Sequence, residues 1–312
     1  MTKLTKAVMG LKKWRLGIHS YALHLWGFGQ NWCVSEPYPK AMNLIQLMDW
    51  AKDNRLDGLH ITGCDLETKD DARLAQVASA AKERGLYLEY NCSLDEEFDA
   101  RLNETFESGV LTAHKLGAEI AKFNLDIRRP KPLYGSCRNP SVMRQLADIH
   151  DQIKAAIPVI EKYNMPIAIE NHTETYADEV LWLIDSVSHP LVKVCVDTVN
   201  SFGVLEGPEE AVNKLAPQAI CNHLCDHKLT RDQYGARFHG VAVGDGDMDI
   251  PKIVGLFRRV CLTDKITFEI EWDMENDTLE EAGKKQMDAC KRSISYLRDV
   301  IKVGREDEIA HL

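Results

Sequence analysis

The chain has 312 residues, 45% of them hydrophobic and 28% charged, with a formal net charge of −10. An acidic chain of this kind has no bulk attraction for nucleic acid or anionic membranes, and none of its apolar runs reaches the ~18 residues that a membrane span needs. Length and composition fit a globular protein with one large core or two small ones.

The N-terminal stretch MTKLTKAVMGLKKWRLGIHS is basic but lacks the apolar centre and small-residue cleavage site of a signal peptide. Nine cysteines are scattered with no Cys-x-x-Cys pair. An unpatterned, odd set suggests reduced thiols and a cytoplasmic location.

Along the chain, short apolar runs alternate with amphipathic stretches. The runs are RLGIHSY (15–21), LDGLHIT (56–62), LYLEYN (86–91), AEIAKFNL (118–125), MPIAIENH (165–172), VKVCVDT (192–198), AICNHLCD (219–226) and KITFEIEW (265–272). Between them, 41–54, 72–85 and 141–164 carry helical periodicity, and Gly85 stands where a helix C-cap belongs. AGKKQMDACKRSISYLRDVIKVG (282–304) reads as a last helix, with REDEIAHL as an exposed tail. Eight strand candidates alternating with helices predict parallel β-α units. Eight units in ~250 residues or more is the size of a closed (β/α)8 TIM barrel. An open doubly wound sheet would place a glycine-rich phosphate turn after its first strand. Here HSYALHLWGFGQNW follows instead, with no GxGxxG. The expectation is one barrel domain over residues 1–312, with a tail from about residue 303.

Barrel active sites form at the C-terminal ends of the strands. Those ends deliver His19 and Tyr21, His60, Glu89, Lys122, then Glu170 with Asn171 and His172, Asp197, His223 with Asp226 and His227, and finally Glu269 and Glu271. Each alone has an ordinary reading as a helix cap or a core group, and Glu89 could pair with Lys122. The set is stronger. Glu170, Asp197, His223 and Glu269 end four consecutive strands, and three converging carboxylates would repel until some protonated. One divalent cation resolves this. Three oxygen donors and one imidazole suit Mn²⁺ first, with Mg²⁺, Co²⁺, Fe²⁺ and Zn²⁺ also compatible.

At these residues the sequence resembles the xylose-isomerase-like (β/α)8 superfamily of sugar-phosphate isomerases and epimerases, shared with the endonuclease IV group. IAIENH (167–172), VCVDTVNSFGVLEGPEEAV (194–212), NHLCDHK (222–228) and VGDGDMDIPKIV (243–254) carry the resemblance in order, over roughly residues 15 to 300. It implies that Glu170, Asp197, His223 and Glu269 are metal ligands, with Glu271 the rival to Glu269 on the same strand face. It also implies that Glu170 and Glu269 act as an acid/base pair on a keto-sugar through an enediolate. His19, Lys122, His172, Asn200, Arg237, His239 and Glu271 are expected to contact substrate, and LWGFGQNW (25–32) is a candidate apolar wall over it. The nuclease group needs a second histidine after the strand-six aspartate and an Asp-x-His pair after strand seven. Here those positions read Asn200 and Arg237-Phe238-His239, so a nuclease is not expected. A decarboxylase or β-eliminase acting on a keto-sugar acid or 3-keto-glycoside would share the ligands. A non-catalytic sugar-binding barrel is the remaining alternative. Asp245, Asp247 and Asp249 in GVAVGDGDMD disfavour a nearby phosphate. The expected partner is a small carbohydrate, with no nucleic acid and no membrane, and a homo-oligomer is compatible with the chain.

Overall fold

The computed structural model describes residues 13–31, 36–95, 99–129 and 139–305. Eight strands lie in one parallel sheet: β1 (Arg15–His19), β2 (Gly58–Thr62), β3 (Tyr87–Ser93), β4 (Ala121–Asn124), β5 (Ile167–Glu170), β6 (Val192–Asp197), β7 (Ala219–His223) and β10 (Lys265–Phe268). Their order is β10-β1-β2-β3-β4-β5-β6-β7, and each falls on one of the eight expected runs. The ends of the sheet meet through a bridge between Leu224 and Phe268. A side chain completes the seam: Asn222 Nδ2 donates to the Lys265 carbonyl at 2.7 Å, and the Thr267 N–H donates to Asn222 Oδ1 at 3.1 Å. The architecture is a (β/α)8 barrel.

Helices α1 (Leu44–Asp53), α2 (Asp71–Arg84), α3 (Phe106–Leu116), α4 (Pro140–Tyr163), α5 (Ala177–Val187), α6 (Pro208–Leu215), α7 (Ile250–Val260) and α8 (Leu279–Ser295) surround it. Local chemistry sets their ends. Asp70 caps the start of α2, and Gly85 ends it in the left-handed region at φ 68°. The Thr278–Glu281 capping box starts α8. The last helix therefore begins earlier than the sequence suggested. It gives way to a π-turn at Tyr296–Val300, and residues 306–312 of the tail lie outside the described residues. Among the described residues, no helix is long and apolar enough to cross a membrane.

The strands alternate with period two. Leu16, Ile18, Leu59, Ile61, Phe123, Ile169, Val194, Val196, Ile266 and Phe268 join the main hydrophobic core with the helices. The other set is mostly polar: His19, His60, Glu89, Lys122, Glu170, Asp197, His223, Lys265 and Glu269, all buried. Ala168, Cys195, Cys221 and Ile120 make only a small separate apolar cluster. Barrel interiors are ordinarily layers of Val, Ile and Leu, so this one is polar by design of sequence. At the N-terminal end, the Tyr87 side chain lies across Gly17 and Gly58, where a Cβ would come within 2.2 Å of its hydroxyl and 2.3 Å of its ring.

One element was not expected. β8 (Asp226–Arg231) and β9 (Ala236–Val241) form an antiparallel hairpin after β7. Its residues are largely exposed.

Candidate active site

Strand register brings the candidate groups together. Glu170 ends β5 level with Cys195, and a register shift between Val194 and Cys195 sets Asp197 level with His223. His223 Nδ1 then lies 2.8 Å from Glu170 Oε1, 3.0 Å from Glu269 Oε2 and 3.9 Å from Asp197 Oδ2. All four side chains are at most 8% exposed. Asp197 is fixed from behind: its Oδ1 accepts from the Val199 and Asn200 N–H groups at 2.8 Å each. The Asn171 side chain bridges the Asp197 backbone on both sides, at 3.0 and 2.8 Å.

The donor set fits a divalent cation. His223 Nδ1 is buried and makes no aligned hydrogen bond, although two carboxylates lie within 3.0 Å. A ring nitrogen that crowds carboxylates without bonding them is the geometry of ligands turned toward one shared point. The electrostatics agree. Burial, then Glu170 and Glu271, push the Asp197 carboxyl up to about 7. Burial opposes a charged His223, but Glu170 and Glu269 outweigh it and raise the imidazole well above its usual range. Glu170, Asp197 and His223 form a group whose ligand atoms all lie within 4.8 Å of one another. Glu269, not Glu271, faces His223. Glu271 is held at 2.9 Å by His227 Nε2, which offsets its burial and lowers its carboxyl.

A cavity of about 390 Å³, open mouth included, sits over these groups. His19, Lys122, His172, Asn200 and Glu271 line it, as does each of the four candidate ligands. Lys122 Nζ is 2.5 Å from Glu170 Oε2 and 2.7 Å from Asn124 Oδ1. Glu170 holds the ammonium charged against the cost of burial. His172 Nδ1 lies 2.8 Å from Asp126 and 3.1 Å from Glu174, and these acids outweigh burial and raise it well above the usual histidine range. His19 Nδ1 accepts from the Tyr21 N–H at 3.1 Å and lies 3.6 Å from Glu269.

Two expected contacts are placed elsewhere. Arg237 and His239 sit on β9, away from the cavity lining. Arg237 is half exposed and pairs with Asp273. The hairpin carries them outward, which the charged run 226–241 does not announce. Glu89 pairs with Lys265 at 2.5 Å rather than with Lys122. Over its described residues, 25–31, the aromatic stretch does not make an apolar wall: Phe28 is in the core, Trp26 packs against it, and of these residues only Gln30 lines the cavity. Trp32 lies outside the described residues. Tyr21, named at the end of β1 but given no role, lines the cavity together with Gln30 and Thr173, to which the sequence reading gave no role. Tyr21 and Thr173 each stand two or three positions past a strand-end ligand or cavity group, and that position was the available signal. Asp226 proves structural. It accepts from the N–H groups of Gly244, Gly246 and Met248 at 2.8, 3.0 and 3.2 Å, so it ties down the glycine-rich loop.

Residues 48–299 match the xylose isomerase-like TIM barrel family. Among characterised proteins, 3-oxo-isoapionate decarboxylase of Pectobacterium atrosepticum is 20% identical over 239 residues, spanning 75% of this chain and 77% of that one. A xylose isomerase-like TIM barrel protein from Mycobacterium smegmatis in complex with magnesium superposes with a TM-score of 0.64 at 14% identity, over 94% of this chain and 98% of that one. D-psicose 3-epimerase, solved in the presence of D-fructose, gives 0.62 at 16% identity, over 92% and 99%. At these identities the structural likeness is one of fold.

Proposed function

This chain belongs to the xylose isomerase-like TIM barrel family, and we propose that it is a divalent-metal-dependent enzyme that forms and reprotonates an enediolate on a keto-sugar, as an isomerase or epimerase. The observation that carries this reading is the convergence of Glu170, Glu269 and Asp197 on His223 Nδ1 at 2.8, 3.0 and 3.9 Å. Mn²⁺ is the first choice of cation for such a set, with Mg²⁺, Co²⁺, Fe²⁺ and Zn²⁺ also compatible. When bound, the cation would polarise a ketone and stabilise the enediolate charge. Asp197 and His223 hold position, while Glu170 and Glu269 flank the substrate carbon and carry its proton. The polar lining leaves Lys122, His172, Asn200 and Glu271 to hydrogen-bond hydroxyls.

A second reading is decarboxylation of a keto-sugar acid. Lys122 at 2.5 Å from Glu170 Oε2 favours it. The ammonium, with His223, holds Glu170 well below the usual carboxylate range against its burial, which makes Glu170 a weak base. One proton donor suffices to protonate an enediolate left by loss of carbon dioxide; epimerisation needs a base on one face and an acid on the other. The decarboxylase relative supports the same form.

The test begins with elemental analysis of protein purified without added metal, beside Asp197→Ala. It continues with D-psicose, D-fructose and a 3-oxo sugar acid in D₂O, following carbon-bound deuterium and carbon dioxide. About one equivalent of metal, lost in the variant, with deuterium incorporation and no carbon dioxide release supports the first form; carbon dioxide release supports the second. Metal without either reaction would leave a sugar-binding barrel. No metal uptake after reconstitution would overturn the enzyme reading.

A further inference from the structure

Below the ligand set lies an imidazole that ordinary packing does not account for. His60 is 0% exposed, on the inward face of β2. Its Nδ1 is 3.1 Å from His223 Nε2. Its Nε2 is buried without a hydrogen-bond partner. An orphaned buried N–H costs about 1–3 kcal/mol, and an apolar side chain in its place would avoid that cost.

Proton placement explains the arrangement. If His223 turns the lone pair of Nδ1 toward the carboxylates and their cation, its proton sits on Nε2. That N–H donates to His60 Nδ1, and the proton of His60 is then on Nε2, the atom left without a partner. The ring is clamped in place. It meets His19 edge-on at 4.8 Å and 71°, and His223 at 5.0 Å and 65°. Glu89 Oε2 is 3.7 Å from Nδ1, beyond hydrogen-bond reach. Glu89 is occupied instead by Lys265 at 2.5 Å and by Thr267 Oγ1 at 3.1 Å. It does not compete for the proton of His223.

We propose that His60 is a positioning residue: by accepting the His223 Nε2–H it fixes the tautomer and ring orientation that present Nδ1 to the cation. This rests on the reading of Glu170, Asp197, His223 and Glu269 as cation ligands. Partners of this kind are worth about 10–100-fold in metal affinity. The experiment titrates the metal-free full-length protein with Mn²⁺ by calorimetry and measures urea unfolding in EDTA. His60→Leu keeps bulk and removes the acceptor; His60→Gln restores an acceptor oxygen. His60→Met is a second apolar variant should leucine not fold. The apolar variants are expected to bind Mn²⁺ about 10–100-fold more weakly, the glutamine variant to recover most of the loss, and the apolar variants to stay close to wild type in stability in EDTA, because they exchange the unpartnered His60 Nε2–H for an unpartnered His223 Nε2–H. Unchanged affinity in the apolar variants, or a glutamine variant no better than they are, overturns the proposal. A wild type that takes up no Mn²⁺ overturns the ligand set itself, and this proposal with it.

Discussion

Lys122 and Glu170 form an ion pair of 2.5 Å inside the barrel, with side chains 2% and 3% exposed. Neither partner has bulk water to fall back on. Removing one member of such a pair typically costs about 3–5 kcal/mol, because the other charge is left buried and unpaired. Lys122→Met is therefore expected to lose stability of that order in EDTA, read from urea unfolding. Saturating Mn²⁺ should return more stability to the variant than to wild type, since the cation replaces the missing positive charge. Equal stability of the two proteins in EDTA would show that Glu170 is neutralised by something else.

Glu269 and Glu271 both follow the end of β10, two positions apart, and only distance separates their roles. Glu269 Oε2 is 3.0 Å from His223 Nδ1, whereas Glu271 is engaged by His227 at 2.9 Å. Glu269→Gln should weaken Mn²⁺ binding by more than the ~10–100-fold that loss of a mere supporting residue gives, and should abolish turnover. Glu271→Gln should leave Mn²⁺ affinity near wild type and act on KM. Calorimetry with Mn²⁺ on both variants decides, and the reverse ranking would move the fourth ligand to Glu271.

The barrel was legible in the sequence because parallel strands buried on both faces read as short apolar runs. The ligand set was legible for the same reason: in IAIENH and VKVCVDT a lone acid follows the run, and chain order fixes which end of the barrel it occupies. What could not be read was pairing across the interior. Lys265 reaches Glu89 on a strand 176 positions earlier in the chain, and His60 reaches His223, 163 positions later. Which inward group meets which depends on stagger and rotamer, not on pattern. The hairpin escaped because DHKLTRDQYGARFHGV lacks the alternation of a half-buried strand pair.

That misplacement has a consequence at Arg237. The guanidinium pairs with Asp273, and both side chains are 50% exposed. Surface pairs of this kind contribute about 0–1 kcal/mol. Arg237→Ala is expected to leave unfolding and Mn²⁺ affinity nearly unchanged, with any effect confined to KM. A loss of metal affinity would place the hairpin closer to the site than its geometry indicates.

The pH dependence of metal binding follows from Asp197, whose carboxyl is moved by burial and by Glu170 from 3.8 to about 7. Between those values the folded protein keeps a proton that the unfolded chain releases. The contribution of Asp197 to the stability of the metal-free fold therefore falls as pH rises through this window and levels off above about 7. A cation must displace the same proton. Apparent affinity should rise by about tenfold per pH unit up to neutrality for this group alone. His223, drawn upward against its burial by Glu170 and Glu269, adds a second proton to be displaced and steepens the slope. Mn²⁺ titrations from pH 5.5 to 7.5, repeated in buffers of different ionisation enthalpy, count the protons released. Asp197→Asn should lower that count by one while weakening binding at every pH. A flat affinity across the range would mean that binding displaces no proton, with Asp197 already ionised and His223 already neutral before the cation arrives.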